Sequence, residues 1–152
     1  MKTVAELSEL LRARGQKVTT QRQHIFHALE GNTFHPSADQ VYEAVRRDVE
    51  TISLKTVYQT LNELVAMGEL AALDVGTGTV RFDPNVELAH HHLVCSRCGE
   101  VCDVNMELPE LSLPDAAAQG YRVSSVEVVF RGVCRRCQGG TRRRAGDGKE
   151  LS

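Results

Sequence analysis

Residues of two chemical kinds carry the reactive chemistry of this sequence. Cys95 and Cys98 form one Cys-x-x-Cys pair, and Cys134 and Cys137 form a second. Each pair lets two thiolates from one tight turn reach the same tetrahedral ion. Together they predict a closed, all-thiolate structural zinc site. The competing reading is a pair of disulfides or a dithiol redox centre. It is disfavoured because the opening MKTVAELSELLRARG has the pattern of an amphipathic helix and not of a secretory signal, and because five cysteines leave one over.

The second kind is a mixture of imidazoles and carboxylates. Asp83, His90, His91, His92 and Asp103 crowd around the first cysteine pair. On an extended segment His90 and His92 point one way and His91 the other, so two of the three can share an ion. Asp83 and Asp103 bracket them, and His35, just before a helix in the first half, adds a ligand from elsewhere in the chain. Such a set suits Fe(II), Mn(II), Zn(II) or Ni(II), and its hard oxygens favour iron or manganese. An ion held from both halves would fix their relative orientation, so its binding would bias conformation. The bland alternative is that these histidines are exposed polar residues beside the zinc knuckle.

The elements that position these groups follow from periodicity and capping. Val4, Leu7, Leu10 and Leu11 predict a first helix ending near Gly15, and Ile25, Phe26 and Leu29 a second, capped by a threonine and stopped by Gly31. Ser37 and Gln40 form a capping box for a third helix with Val41, Tyr42 and Val45 on its apolar stripe. Ser53 caps the fourth, SLKTVYQTLNELVAMG, whose inner face carries Val57, Leu61 and Leu64. Its outer face shows Lys55, Thr56, Tyr58 and Gln59, suited to a helix laid in a DNA major groove. Residues 69–83 then read as a β-hairpin around Gly76-Thr77-Gly78. Helices closed by a hairpin predict a winged helix-turn-helix.

Beyond Asp83 the composition changes, with Pro84 and Asn85 read as a hinge. Strands are expected around His92–Cys95, Glu100–Val104 and Val123–Arg131, with a short helix from Pro114 stopped by Gly120. The fold class is therefore α+β: an N-terminal winged helix-turn-helix DNA-binding domain over 1–83, a small α/β metal-binding dimerisation domain over 84–138 with the four-cysteine zinc site, and a disordered tail over 139–152. The tail's Arg142-Arg143-Arg144 run is read as a solvating segment. Two three-stranded sheets pairing at their edges would give a two-fold dimer.

Composition sets wider bounds. The net charge of −2 over 152 residues rules out a global basic excess, so any DNA contact must come from a local patch. No apolar run is long enough to cross a membrane, and the cytoplasm is the expected compartment.

VTTQRQHIFHAL, HPSADQVYEAV, ISLKTVYQTLNELVAMGEL, RFD, HHHLVCSRCGEV and GVCRRC, in that order, resemble the ferric uptake regulator (Fur) family across about residues 3–138. The resemblance implies a homodimeric, metal-dependent transcription factor, usually a repressor, and not an enzyme. Within the family the chain is similar to the peroxide-sensing, PerR-like branch. That similarity places a regulatory Fe(II) or Mn(II) on His35, Asp83, His90, His92 and Asp103, beside the structural Zn(II). It implies that peroxide reacting at bound iron oxidises His35 or His90 and releases the DNA. Lys17, Arg22 and Lys55 would contact phosphates and Tyr58 and Gln59 would read bases, on an inverted-repeat operator.

Four departures from the family pattern bear on these expectations. Thr20 stands where proline is common, Gln59 where Arg or Asn is frequent, and Val123–Val126 lacks a histidine used elsewhere for a further metal. Two metals per subunit are therefore expected. Cys102 is extra and reads as an inert strand residue. Three other functions compete: an iron-, zinc- or nickel-supply sensor without peroxide chemistry, a non-haem iron oxygenase, and a constitutive zinc-ribbon DNA binder. The oxygenase reading lacks any second cofactor motif and gives the first half no purpose.

Overall fold

The computed structural model describes residues 1–87, 90–109, 111–124 and 126–139. The Arg142–Arg144 run and the rest of the tail from residue 140 lie outside them.

Four helices open the chain: α1 (Val4–Ala13), α2 (Thr20–Leu29), α3 (Ala38–Val45) and α4 (Leu54–Ala66). Each starts where a side-chain oxygen replaces a missing backbone acceptor. Thr3 and Ser37 make full capping boxes with Glu6 and Gln40, while Thr19 and Ser53 accept from the N–H groups of Arg22 and Thr56. With Thr19 as the cap, Thr20 occupies the first helical position, where a proline would fit as well. The helices converge on one apolar core containing Leu7, Leu11, Phe26, Leu29, Val41, Val57, Leu61 and Leu64.

A hairpin of β1 (Ala71–Leu73) and β2 (Arg81–Asp83) follows, antiparallel with Ala72 opposite Phe82. Its side chains divide between two cores. Leu70 and Phe82 belong to the helical core, whereas Leu73 and Val75 pack with Val94 and Val101 of the next sheet. The wing is thus the shared wall between the two halves.

The second half is a sheet in the order β4-β3-β5, from β3 (His91–Cys95), β4 (Val101–Val104) and β5 (Val129–Gly132). β3 runs antiparallel to β4 and parallel to β5. Short helices α5 (Asp115–Ala118) and α6 (Arg135–Gln138) flank β5. β5 is shorter than the sequence pattern suggests. In its register His92 faces Val129, so the start of β3 at His91 lies opposite Val128 and ends the ladder there. The segment read as a hinge is tied down: Asn85 N–H donates to Asp83 Oδ1 at 2.7 Å, and the N-terminal ammonium donates to Pro84 O at 2.6 Å.

Candidate metal centres

The four paired cysteines meet at the end of the sheet, where the β3–β4 turn carries Cys95 and Cys98, and the loop from β5 into α6 brings Cys134 and Cys137. One sulfur from each lies within 4.8 Å of all the others. Cys98 Sγ and Cys134 Sγ are 3.7 Å apart, far from a disulfide bond of roughly 2.05 Å. That separation is the edge of a tetrahedron whose centre-to-sulfur bonds are about 2.3 Å, the zinc–thiolate length.

The electrostatics point the same way. Burial opposes ionisation of Cys95, but backbone N–H groups of Cys134, Cys98 and Arg97 aimed at its sulfur outweigh that and hold its pKa down at about 6. Hydrogen bonding to Cys134, then burial, pushes Cys137 up to about 12, and burial chiefly raises Cys98. One thiolate thus forms readily and hinders its neighbours, and a divalent cation is what lets all four ionise together.

The second cluster draws on three parts of the fold. His35 precedes α3, Asp83 ends the wing, and His90, His92 and Asp103 come from β3, the residue before it, and β4. Their ligand atoms also lie within 4.8 Å of one another. Strand alternation turns His92 and Val94 inward and Leu93 outward. His92 meets the other two imidazoles edge-on, with ring centroids 5.2 Å apart for His35 and His92 and 4.7 Å for His90 and His92.

The carboxylates face these rings. Asp103 Oδ1 is 2.8 Å from His35 Nε2 and 3.2 Å from His90 Nε2. Asp83 Oδ2 is 2.9 Å from His90 Nε2 and 3.5 Å from His92 Nε2, and Asp83 Oδ1 is 3.4 Å from His35 Nε2. Despite this closeness, the buried Nε2 atoms of His35 and His92 and Asp103 Oδ1 lack a hydrogen bond of good geometry. Buried polar atoms that converge without sharing protons are the donor set of a cation. Burial lowers the pKa of His92, helped by the nearby His90 and His35, which favours the neutral, ligating imidazole. Burial disfavours the Asp83 carboxylate, yet the His35 imidazole beside it, the hydrogen bond from Asn85 N–H and the nearby His90 outweigh it and keep its pKa low.

His35 itself is fully buried and has φ +48°, in the left-handed region that costs a non-glycine residue roughly 1–2 kcal/mol. A strained backbone at a ligand position is held by its surroundings, and it marks a site where geometry matters. Nothing in the sequence signalled that strain. The sequence also gave no sign that Asn85 Nδ2 would reach Asp103 Oδ2 (3.4 Å) or that Arg81 would bridge the two halves.

The expected DNA-contacting residues lie apart from both clusters. Lys55, Tyr58 and Gln59 are exposed on α4, with Tyr58 at 42%, and Lys17 is exposed before α2. Thr56 bonds back to the Ser53 cap, and Gln59 reaches Glu63 at 3.4 Å. Arg22 pairs with Glu63 at 2.6 Å and donates to Lys17 O at 3.2 Å, bracing α2 against α4. Cys102 is half-buried on β4 opposite Leu93, and burial raises its pKa, so it is a poor nucleophile.

Two metal-type clusters, one within the sheet domain and one across its junction with a helical, winged domain, define a metal-responsive regulator. The model of the "Ferric uptake regulator family" matches residues 13–131, and the chain belongs to that family. It is 34% identical over 131 residues to the peroxide-responsive repressor PerR of Staphylococcus aureus, covering 84% of this chain and 86% of the relative. Its fold is that of the Helicobacter pylori ferric uptake regulator (TM-score 0.68, 19% identity, 91% of this chain and 97% of that one). PerR from Streptococcus pyogenes matches with TM-score 0.52 and 29% identity over 91% of this chain and 95% of that one. Members of this family regulate transcription and are not enzymes. Among the described residues two groups could hold a metal ion, the four cysteines and the His/Asp set, and no helix is long and apolar enough to cross a membrane.

Proposed function

We propose that this chain is a homodimeric, metal-dependent DNA-binding repressor whose affinity for an inverted-repeat operator is switched by peroxide. In this reading residues 1–83 bind DNA and residues 84–138 hold the metals and the dimer interface. The carrying observation is the second cluster: Asp83 closes the wing, His35 stands just before α3, and both meet ligands from the second half. An ion there makes wing, helix and sheet one rigid body, and its loss frees the wing.

Cys95, Cys98, Cys134 and Cys137 keep Zn(II) whatever the signal. His35, Asp83, His90, His92 and Asp103 take Fe(II) or Mn(II), three nitrogens and two oxygens suiting either. Ferrous iron held there would supply the electrons that open the O–O bond of peroxide, one oxygen leaving as water and the other available to a ligand ring. By the family resemblance the group oxidised would be the imidazole of His35 or His90, and oxidation of the ring would weaken it as a ligand. The relative that is a peroxide-responsive repressor supports this choice of signal.

Exposed apolar side chains concentrate in the second half, with Leu93, Leu111, Leu113, Val123, Val126 and Phe130 all open to solvent in one chain. A dimer partner would cover such a surface. On the DNA side Lys55 and Lys17 supply phosphate contacts, Thr56, Tyr58 and Gln59 face the groove, and Arg22 contributes through the donors that Glu63 leaves it. Lys55→Ala should weaken binding to all sequences alike and reduce the salt slope by about one. A sequence-selective loss in equilibrium titrations would contradict its phosphate role.

The test of the signal is peptide mass after peroxide, comparing Fe(II)-loaded with Mn(II)-loaded protein. The expected result is one added oxygen on the His35 or the His90/His92 peptide, with iron only. Unmodified histidines would rule out peroxide chemistry and leave an iron-, zinc- or nickel-supply sensor.

A further inference from the structure

Arg81 stands beside both metal clusters and ligates in neither. It is half-buried on β2, two residues before Asp83 and on the same face of the strand. Its guanidinium forks. Nη1 donates to Gln40 Oε1 at 2.8 Å, and Nη2 donates to Gly99 O at 2.8 Å, in the turn that carries Cys95 and Cys98. Burial pushes its pKa down, opposed by Cys98 and Glu100.

Both contacts are specific. Gln40 Oε1 also accepts from Ser37 N–H at 2.9 Å, closing the capping box of α3. Next to it, Phe82 N–H donates to Pro36 O at 3.0 Å. The two residues after His35 are therefore tied to β2 and, through Arg81, to the first cysteine turn. At the other end Gly99 has φ +71°, and a Cβ there would lie 3.3 Å from Arg81 Nη2, so glycine serves both the turn and the approach of the guanidinium.

We propose that Arg81 is a positioning residue for the second metal centre: it clamps the N-terminus of α3 to the first cysteine turn and so holds His35 in its strained, ligating conformation. The inference rests on reading the His/Asp cluster as a metal site. The left-handed backbone of His35 persists only if its surroundings impose it, and the fork supplies that constraint from the first cysteine turn. A lysine would keep the charge but replace the planar fork with three freely rotating donors on a flexible stem, and so would hold these two acceptors less firmly in place.

The test is the Mn(II) affinity of zinc-loaded wild-type and Arg81→Met protein, read from free Mn(II) by electron paramagnetic resonance, with zinc content and metal-free thermal unfolding measured on the same samples. Arg81→Met should keep its zinc and fold, yet bind Mn(II) about 10–100-fold more weakly, the usual cost of losing an outer-shell support. Mn(II) affinity within about twofold of wild type in the folded, zinc-loaded variant would overturn the proposal. If Arg81→Met does not fold, Arg81→Lys decides: a loss of at least about threefold supports the clamp, and unchanged affinity refutes it. Wild-type protein that fails to bind Mn(II) would instead overturn the metal-site reading, and the clamp with it.

Discussion

The two clusters differ in where their ligands come from, and that difference separates holding a fold together from reporting on it. The cysteines all lie within the second half, on two turns at one end of one sheet. Binding an ion there ties β3, β4 and β5 to each other. The His/Asp set spans the junction, with one ligand before α3, one at the end of the wing, two on the sheet and one just before β3. The wing's side chains already bridge the two cores, Phe82 on one side and Leu73 and Val75 on the other. In the proposed reading an ion at the junction would act where the halves already touch and convert metal availability into wing placement.

The sharpest way to break this contrast is to remove one ligand from each cluster. Cys98→Ser should release zinc and unfold the β4-β3-β5 sheet, seen as zinc loss and a collapsed circular dichroism signal. Structural zinc contributes an apparent ~10–16 kcal/mol, as much as a whole domain's stability. His92→Ala or Asp83→Asn should keep the zinc and the sheet but weaken Mn(II) binding by more than about 100-fold, beyond the range of outer-shell losses, and abolish operator binding. Metal-dependent DNA binding retained in both variants would erase the distinction between the clusters.

A smaller effect lies away from both metals. Glu69, buried after α4, accepts from Lys2 N–H at 2.9 Å and pairs with the Lys2 ammonium. Burial alone would raise its pKa, but the Lys2 bonds prevail and lower it. Its stabilisation is thus present above the unfolded value of about 4.3 and lost as pH falls through the lower folded value. Glu69→Gln should reduce Tm by about 2–4 °C at pH 7, with the gap closing below about pH 4. A gap that widened in acid would contradict the ion pair.

What the sequence revealed tracks how local each cause is. The capping boxes, the Ser53 cap and the two cysteine turns depend on residues three or four apart, and they form as their spacing implies. The inward turn of His92 follows from strand alternation, and His90, just before the strand, brings its ring centroid to 4.7 Å from that of His92. The upstream end of β5 could not be read, because the position of β3, not the run of valines, sets where its ladder stops. The left-handed φ of His35 and the reach of Arg81 to Gly99 depend on packing between distant segments. Neither leaves a mark in residue type.

The most direct test of the junction is a Mn(II) titration of zinc-loaded protein, reading DNA affinity by fluorescence anisotropy on duplexes selected with the Mn(II)-loaded form. DNA binding should rise with the same midpoint as Mn(II) occupancy, while zinc stays constant and His92→Ala protein shows no response. DNA affinity that is equal with and without Mn(II) would contradict the claim that the second cluster governs the wing.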